Sequence, residues 1–596
     1  MPAPDRQLEY YRRELSYLRT ESAHFAARHP KVAASLALSD ANSSDPHIQH
    51  LIESVAFLSA GIHRDIDGLA PATASLILDN LCPNLAQPVP SMTVVQMTLD
   101  PLDGKVTAGS RVARGTQLST SSASGVACRF RTGWHATLWP LHVTAVALHQ
   151  ARVLGIECQA DTGVDLADLE LDSLRLHLAG ELLTTMPLHE LLLTALDYVE
   201  LASSSGVWRL PPDCLQQVGF DEAEALLADP SHAYPAYGLL QQYFAFARTF
   251  QFFDVHGLRG KLGSGARFTI RLVFRHGADV LALLRRDHIR LNCVPAVNLF
   301  PVSSEPVAWD GRHYEYLLSA DRKRDTTTEV HSVLAVTVSD PRASRSETIP
   351  AMAAESGVGA GADSAGARAH APLCWTVRRA ASLRPGVTGT DVYLGFVDRR
   401  DPAAAPAQAV AYARLLCTNR QLALQVAPST RFYGDGLTAS TDIRALYQPS
   451  RQLPPAMDGD ALWALASLLR LNHRSLVDGS AGVVALRDML TLFAADSARD
   501  AMQIHGIKRL NATPGTARIT RGAAHGAWHG HCRGTDVAIE FDTDAFAGGS
   551  ALLLASVLAR FFAMYTSANA FVRLRVLRDG ETWIAWPPMA GRQALL

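Results

Sequence analysis

Between residues 46 and 66 the chain sets Ile48, Leu51, Ile52, Val55, Leu58, Ile62 and Ile66 mostly three or four positions apart. That spacing draws one apolar stripe along a helix of about six turns. Asp45 is placed to cap the free N–H groups at its start, and Pro46 fits the first helical position, where a missing N–H costs nothing. An earlier helix is expected over roughly residues 5–28, carrying Tyr10, Leu15, Leu18 and Phe25 among many charges, and a third near 71–82. With so few residues to wrap them, such helices either pack as a small local bundle or offer a groove to a partner's helices.

From Ser91 the periodicity changes to two. MTVVQMTL, RGTQLST, CRFRTGWHATLWPLHVTAVAL and LDSLRLHLAG alternate apolar with polar residues, are rich in Thr, Val and aromatics, and are broken by Gly, Pro and Ser. These are strands of a mostly antiparallel sheet. A helix-like piece at 236–248 and the strands FQFFDVHGL, ARFTIRLVFRH and VNLFPVSSEPV make the middle of the chain α+β and exclude a Rossmann alternation. Residues 351–372, AMAAESGVGAGADSAGARAHAP, hold almost no large apolar side chain, so ordering them would not repay their conformational entropy. A flexible surface loop is expected there. Strands resume in TDVYLGFVD and AVAYARLLCTN, and helices follow in LWALASLLRLNHRSL and GVVALRDMLTLFA. ALLLASVLARFFAMY at 551–565 reads as a buried helix capped by Ser550, too short to span a bilayer and interrupted by Arg560. The expected fold class is therefore α+β and multi-domain, with an N-terminal helical segment followed by β-rich domains and packed helices. Boundaries are placed at 1–90 (helical segment), 91–205 (β-rich), 206–375 (α+β, ending in the loop) and 376–596 (C-terminal α+β).

Bulk composition narrows the function. The chain has 596 residues, 48% of them hydrophobic and 19% charged, which allows several sizeable cores. Its 55 basic and 57 acidic residues nearly cancel, so no general field draws nucleic acid or anionic lipid. Eight cysteines are scattered with no C-x-x-C pair, a pattern of reduced, buried thiols. The N-terminus lacks the apolar core of a secretion signal.

Candidate chemistry is sparse. AHGAWHGHC at 524–532 gathers His525, His529, His531 and Cys532, all zinc-binding types, but three glycines between 522 and 530 disfavour a helix that would bring His525 and His529 together. On a strand, His529 and His531 share one face and Cys532 takes the other. The alternative function this leaves open is a metal-dependent hydrolase using the His525–Cys532 region with Asp536. DGSAG at 478–482 lacks the first glycine of a nucleophile elbow, and GVGAGAD sits in the Ala/Gly loop rather than between a strand and a helix. Asp542 and Asp544 read as a turn before the final helix, and RRELSYLR and ADRKRD as solvated faces. Trp134, Trp139 and Trp528 raise a carbohydrate-binding module, although strand aromatics are more often core.

Several blocks in a fixed order resemble the TssF family (ImpG, VasA), a baseplate subunit of type VI secretion systems. They are YYRRELSYLR, FAARHPKVAASLAL, DPHIQHLIESVAFLSAGIHRDID, LCPNLAQPVPSMTVVQ, RGTQL with CRFRT and TLWPL, LLQQYFAFARTFQFFDVHGL, VNLFPVSSEPV, RHYEYLLSADRKR, LLCTNRQL and RGTDVAIEFDTDAFAGGSALLLASVLARFFAMYTSANAFVRL. The resemblance implies a structural, non-enzymatic subunit without cofactor or metal. It implies a wedge core with TssG and a second TssF copy, contacts with TssK, TssE and the VgrG spike, and a cytoplasmic place at the inner-membrane complex, without nucleic acid or membrane insertion. The stripe Ile48, Leu51, Val55, Leu58 and Ile62 is the expected partner interface.

Overall fold

The computed structural model describes residues 6–35, 46–99, 107–227, 235–340, 345–352, 373–398, 409–437, 441–469, 479–494, 497–521, 528–578 and 580–592. Its helices are α1 (Arg6–Arg28), α2 (Pro30–Ser35), α3 (Pro46–Leu81), α4 (Leu182–Thr194), α5 (Pro235–Phe246), α6 (Ala278–Ala282), α7 (Gly459–Leu468), α8 (Gly479–Thr491), α9 (Ala498–His505) and α10 (Ala551–Tyr565). The chain separates into two compact units, one of residues 1–80 and 456–469, the other of residues 81–455 and 470–596.

In the smaller unit α1 runs antiparallel to α3. Tyr10 donates to Asp67 at 2.9 Å, while Glu14, one turn further along α1, meets His63, one turn earlier on α3, at 3.1 Å. The third helix expected near 71–82 is not separate: α3 continues for 36 residues through Gly68 and Pro71. Its buried face explains why these breakers do not end it, since Ala56 and Ala60 before them and Ala74 and Leu78 after them lie on one side and are fully covered. Asp45, the expected cap, lies outside the described residues, and α3 begins at Pro46 as the sequence implies.

The larger unit is organised around a barrel. Among the described residues six strands close it, in the spatial order Met92–Thr98, Cys293–Val297, Ala127–Thr132, Gln117–Ser121, Arg431–Gly434 and Asp442–Ala445. Met92 pairs with Val297 and Val95 with Ala445, so one strand binds partners about 200 and 350 positions away. Alternation along each strand sends Val94, Phe130, Leu118, Phe432 and Ile443 into one core.

Two long excursions leave this barrel and return. Residues 139–291 form their own core between a five-stranded sheet and a four-stranded sheet, with α4 packed in it. Positions 205 and 206, taken above as a boundary, sit at the turn between Leu196–Ser203 and Gly206–Leu210, paired strands of that five-stranded sheet. Residues 300–417 form another core, built on Ala409–Thr418, Glu329–Asp340 and the Leu373–Ala381 hairpin. Most of the 351–372 stretch lies outside the described residues, but Ala351 bridges to Trp375.

At the C-terminus Ile507–Arg521 and Trp528–Phe541 make a long hairpin, and Trp528–Phe541 pairs in parallel with Phe571–Arg578 across α10. Every residue of α10 except Arg560 and Met564 is buried, as its apolar run demands. Ser550 caps it by accepting from Leu553 N–H at 3.1 Å and donates its own hydroxyl to Glu190 of α4 at 2.7 Å. Burial raises the Glu190 carboxyl, while Ser550 and the free N–H groups of Leu552 and Ala551 at the positive helix end work the other way. The helix α4 itself was not legible in the sequence, because LLTTMPLHELLL is apolar nearly all round and carries Pro187 in its interior.

Polar ties fasten the excursions to the barrel. His177 of the four-stranded sheet contacts the Gln251 carbonyl at 3.1 Å and Tyr447 Oη at 2.9 Å. Burial pushes its imidazole down to about 3, and does the same to His189 and His331. In the 300–417 module, buried Glu329 accepts from Thr390 N–H at 2.8 Å and from Gln452 at 2.7 Å and lies 3.5 Å from Arg420, whose guanidinium also donates to the carbonyls of Asp325 and Thr328.

Two outcomes follow from these contacts. Ser550→Ala is expected to lower stability by about 1 kcal/mol through the lost cap, read as a lower urea midpoint with unchanged secondary structure. Because the three histidines stay neutral in the native state while the unfolded chain binds protons below pH about 6.5, stability is complete above that pH and is lost progressively as pH falls toward 3. Each fully shifted group contributes on the order of 5 kcal/mol. Proton uptake on unfolding near pH 5, measured by calorimetry in several buffers, should drop by about one proton in His177→Gln.

Candidate interaction surface

Over residues 51–66 the helix α3 turns alanines inward and large aliphatic side chains outward. Leu51, Leu58 and Ile62 are 63%, 65% and 60% exposed, and Val55, Phe57 and Ile66 are exposed beside them. At 100° per residue, positions 51, 55, 58, 62 and 66 cluster on the side of α3 nearly opposite Ala56, Ala60, Ala74 and Leu78. Of the expected interface set the structure thus brings Leu51, Val55, Leu58 and Ile62 onto one exposed ridge, while the side chain of Ile48 lies outside the described residues. Phe57 is exposed too, but it falls off the three-and-four spacing and lies well round the helix from this row.

This ridge is the reverse of an ordinary surface helix. Alanines on the buried face let α3 sit close to its neighbours, and Glu14, itself buried, is satisfied by His63 and the nearby Arg13. The aliphatic ridge is left to water over about four turns. Contiguous exposed apolar area of that kind marks a binding surface.

The chemical candidates come apart in the structure. His525 lies outside the described residues, as do the side chains of Trp528 and His529. His531 pairs with Arg518 and points to solvent, whereas the adjacent Cys532 turns to the other face, against Ala517, Ile519 and Phe571. Asp536 is held in a two-point ion pair by Arg573, at 2.6 and 2.9 Å. Asp542 accepts from the Asp544 N–H at the head of a short turn and faces Lys508 at 3.3 Å. Trp134 is buried edge-on to Phe252, and Trp139 is buried as well, so neither presents a ring to a sugar. In the basic stretch ADRKRD, Arg322 meets Glu305, Arg324 meets Asp321 and Asp325 meets Arg384.

The buried histidines are not arranged for proton transfer to a ligand. His177 and His331 face a backbone carbonyl, a tyrosine and a serine inside closed packing, and burial holds them neutral. Cys158, Cys293 and Cys417 are pushed upward by burial, the opposite of what an activated thiol needs. An open cleft of about 260 Å³ is lined by Arg129, Glu305, Asp321 and Arg324, and falls below the size of ordinary small-molecule sites. Among the described residues, no helix is long and apolar enough to cross a membrane.

Comparison with known proteins gives one family. The chain is 31% identical to the type VI secretion system component TssF1 of Pseudomonas aeruginosa, over 97% of both chains. Its fold superposes with a TM-score of 0.72 on a chain of the TssK-TssF-TssG baseplate subcomplex of the type VI secretion system, at 25% identity over 91% of this chain and 98% of that one. A chain of the type VI secretion system baseplate complex shares the fold with a TM-score of 0.56 at 21% identity, over 99% and 100% of the two chains. Residues 3–593 match the model of the family described as type VI secretion system, TssF, and the chain belongs to that family.

Proposed function

We propose that this chain is a structural, non-catalytic subunit of a type VI secretion baseplate, working in the cytoplasm at the inner-membrane complex. Its outer helical ridge seats the helices of TssG and of a second copy of the chain to form a wedge core. TssK, TssE and the VgrG spike are then met by other faces of the same subunit, and the finished baseplate starts growth of the contractile sheath.

The observation that carries this reading is the row Leu51, Val55, Leu58 and Ile62, left exposed on a helix whose opposite face is already packed. A partner's helices are the occupants this geometry fits, because a straight aliphatic ridge at helical spacing is covered by ridges of the same kind. The related chain of similar fold comes from a complex of TssK, TssF and TssG, which supports TssG as one partner of this chain. Fully burying one Leu or Ile contributes roughly 1.5–3 kcal/mol. A row of four is enough to decide association.

Leu51→Asp with Leu58→Asp is expected to abolish co-purification with TssG while the larger unit keeps its cooperative unfolding transition. Recovery of TssG at the unmodified yield would show that the ridge is not the seat. For the histidine-rich strand, elemental analysis of the purified chain should find zinc well below stoichiometry, unchanged by His529→Ala with His531→Ala.

A further inference from the structure

The hairpin of Ile507–Arg521 and Trp528–Phe541 is longer than the sheet it belongs to. Parallel pairing with Phe571–Arg578 begins only at Gly534, opposite Phe571. Beyond that level, among the described residues, the two strands pair with no strand but each other. The foot of this ribbon is fixed. A Cβ on Gly534 would strike the Phe571 carbonyl, and one on Gly515, the residue facing it, would strike the Asp536 carboxylate, so glycine is required at both positions. Asp536 is itself clamped by Arg573 at 2.6 and 2.9 Å.

Side chains along the ribbon alternate between its two faces. Ala517, Ile519 and Cys532 pack with Phe571 on one of them. On the other, Arg518 stands directly across from His531 and Thr516 directly across from Arg533, and all four are exposed. Charge on this face has one sign. From Leu510 to Thr535 the chain holds three arginines and three histidines and neither Asp nor Glu. Asp536, the next carboxylate, alternates to the opposite face, where Arg573 takes it. Arginines on other strands are answered by carboxylates, Arg378 by Glu315 and Arg271 by Glu200, both at 2.6 Å. Among the described residues Arg518 and Arg533 enter no ion pair.

We propose that this face receives an acidic segment of a partner protein, in extended conformation, with carboxylates on alternate residues. Two residues along a strand advance about 6.6–6.8 Å, which is the step from His531 to Arg533 and equally the step between alternate carboxylates of an extended chain. One carboxylate then reaches Arg533 and the Thr516 hydroxyl, and the next reaches Arg518 and His531, through charge-assisted hydrogen bonds. A bilayer fits less well, because this face carries no large apolar side chain to enter it. Duplex nucleic acid also fits less well, since roughly six to ten phosphate contacts sustain such binding and two arginines stand here. The ribbon belongs to the larger unit and is separate from the α3 ridge.

The test is fluorescence anisotropy of the full chain with two labelled peptides of about ten residues, equal in composition. One alternates Glu with Thr, and the other carries its Glu and Thr in separate blocks. The alternating peptide is expected to bind several-fold tighter and to weaken at ~0.3 M salt. Arg518→Glu with Arg533→Glu should weaken it about tenfold or more, at an unchanged urea midpoint because both side chains are exposed. Arg518→Lys with Arg533→Lys, which keeps the charge, should retain most of the binding. If the Glu pair does not fold, Arg518→Gln with Arg533→Gln serves in its place. Equal affinity for the two peptides, binding undiminished by the charge reversal, or no binding at low salt would overturn the proposal. Tighter binding of duplex DNA or of phosphatidylglycerol vesicles, lost in the same variant, would overturn it as well. Peptide binding should persist in the Leu51→Asp, Leu58→Asp background, which separates failure of this surface from failure of the helical ridge.

Discussion

Everything in the larger unit depends on closing one barrel with strands that are far apart in the chain. The strand Met92–Thr98 has to find Cys293–Val297 on one edge and Asp442–Ala445 on the other before either edge is satisfied. Loop-closure cost grows only slowly with length, which is why two excursions of well over a hundred residues each are tolerated between barrel strands. Each excursion carries its own core, so the long loops that close the barrel are themselves folded. The barrel then acts as a fixed frame. His177 with Tyr447 and Glu329 with Arg420 and Gln452 are buried polar ties whose partners sit on different sides of the excursion boundaries. Breaking one partner of such a tie leaves the other buried and unpaired, so the ties favour one arrangement of the parts over others.

The chemistry of the molecule follows the same logic. Its buried histidines and cysteines are shifted by desolvation inside packed structure. Histidines held neutral, cysteines pushed upward and carboxylates taken by arginines describe a framework whose polar groups are already committed. Among the described residues an aliphatic ridge on α3 and the strand edge at Gly206–Leu210 stay exposed. Buried tryptophans and a hairpin histidine turned to solvent need no catalytic account.

Local pattern determined a good deal here. The three-and-four spacing around Leu51 and Leu58, the period of two in MTVVQMT, and the apolar run behind Ser550 each belong to one element, and each element formed where its period called for it. The expected separate helix near 71–82 was not found: α3 runs on through Gly68 and Pro71, because propensity is a weak term beside the burial of Ala74 and Leu78 on the face begun by Ala56 and Ala60. The helix α4 was invisible for the opposite reason, being covered on most sides and so lacking any polar phase to read.

The sequence by itself determined most of the strongly periodic helices and strands, though not α4 or the full length of α3, that the chain is α+β, and, through ordered blocks, the family it belongs to. Only the tertiary structure decided which strands meet. Period-two alternation tells a strand which face to bury but says nothing of its neighbour, so the closed barrel and its interruption by two cores could not be read from runs of Val and Thr. The same holds for the surfaces. An apolar stripe looks alike whether it faces a core or a partner, and only the packing of the alanine face showed that the leucine face of α3 was the one left over.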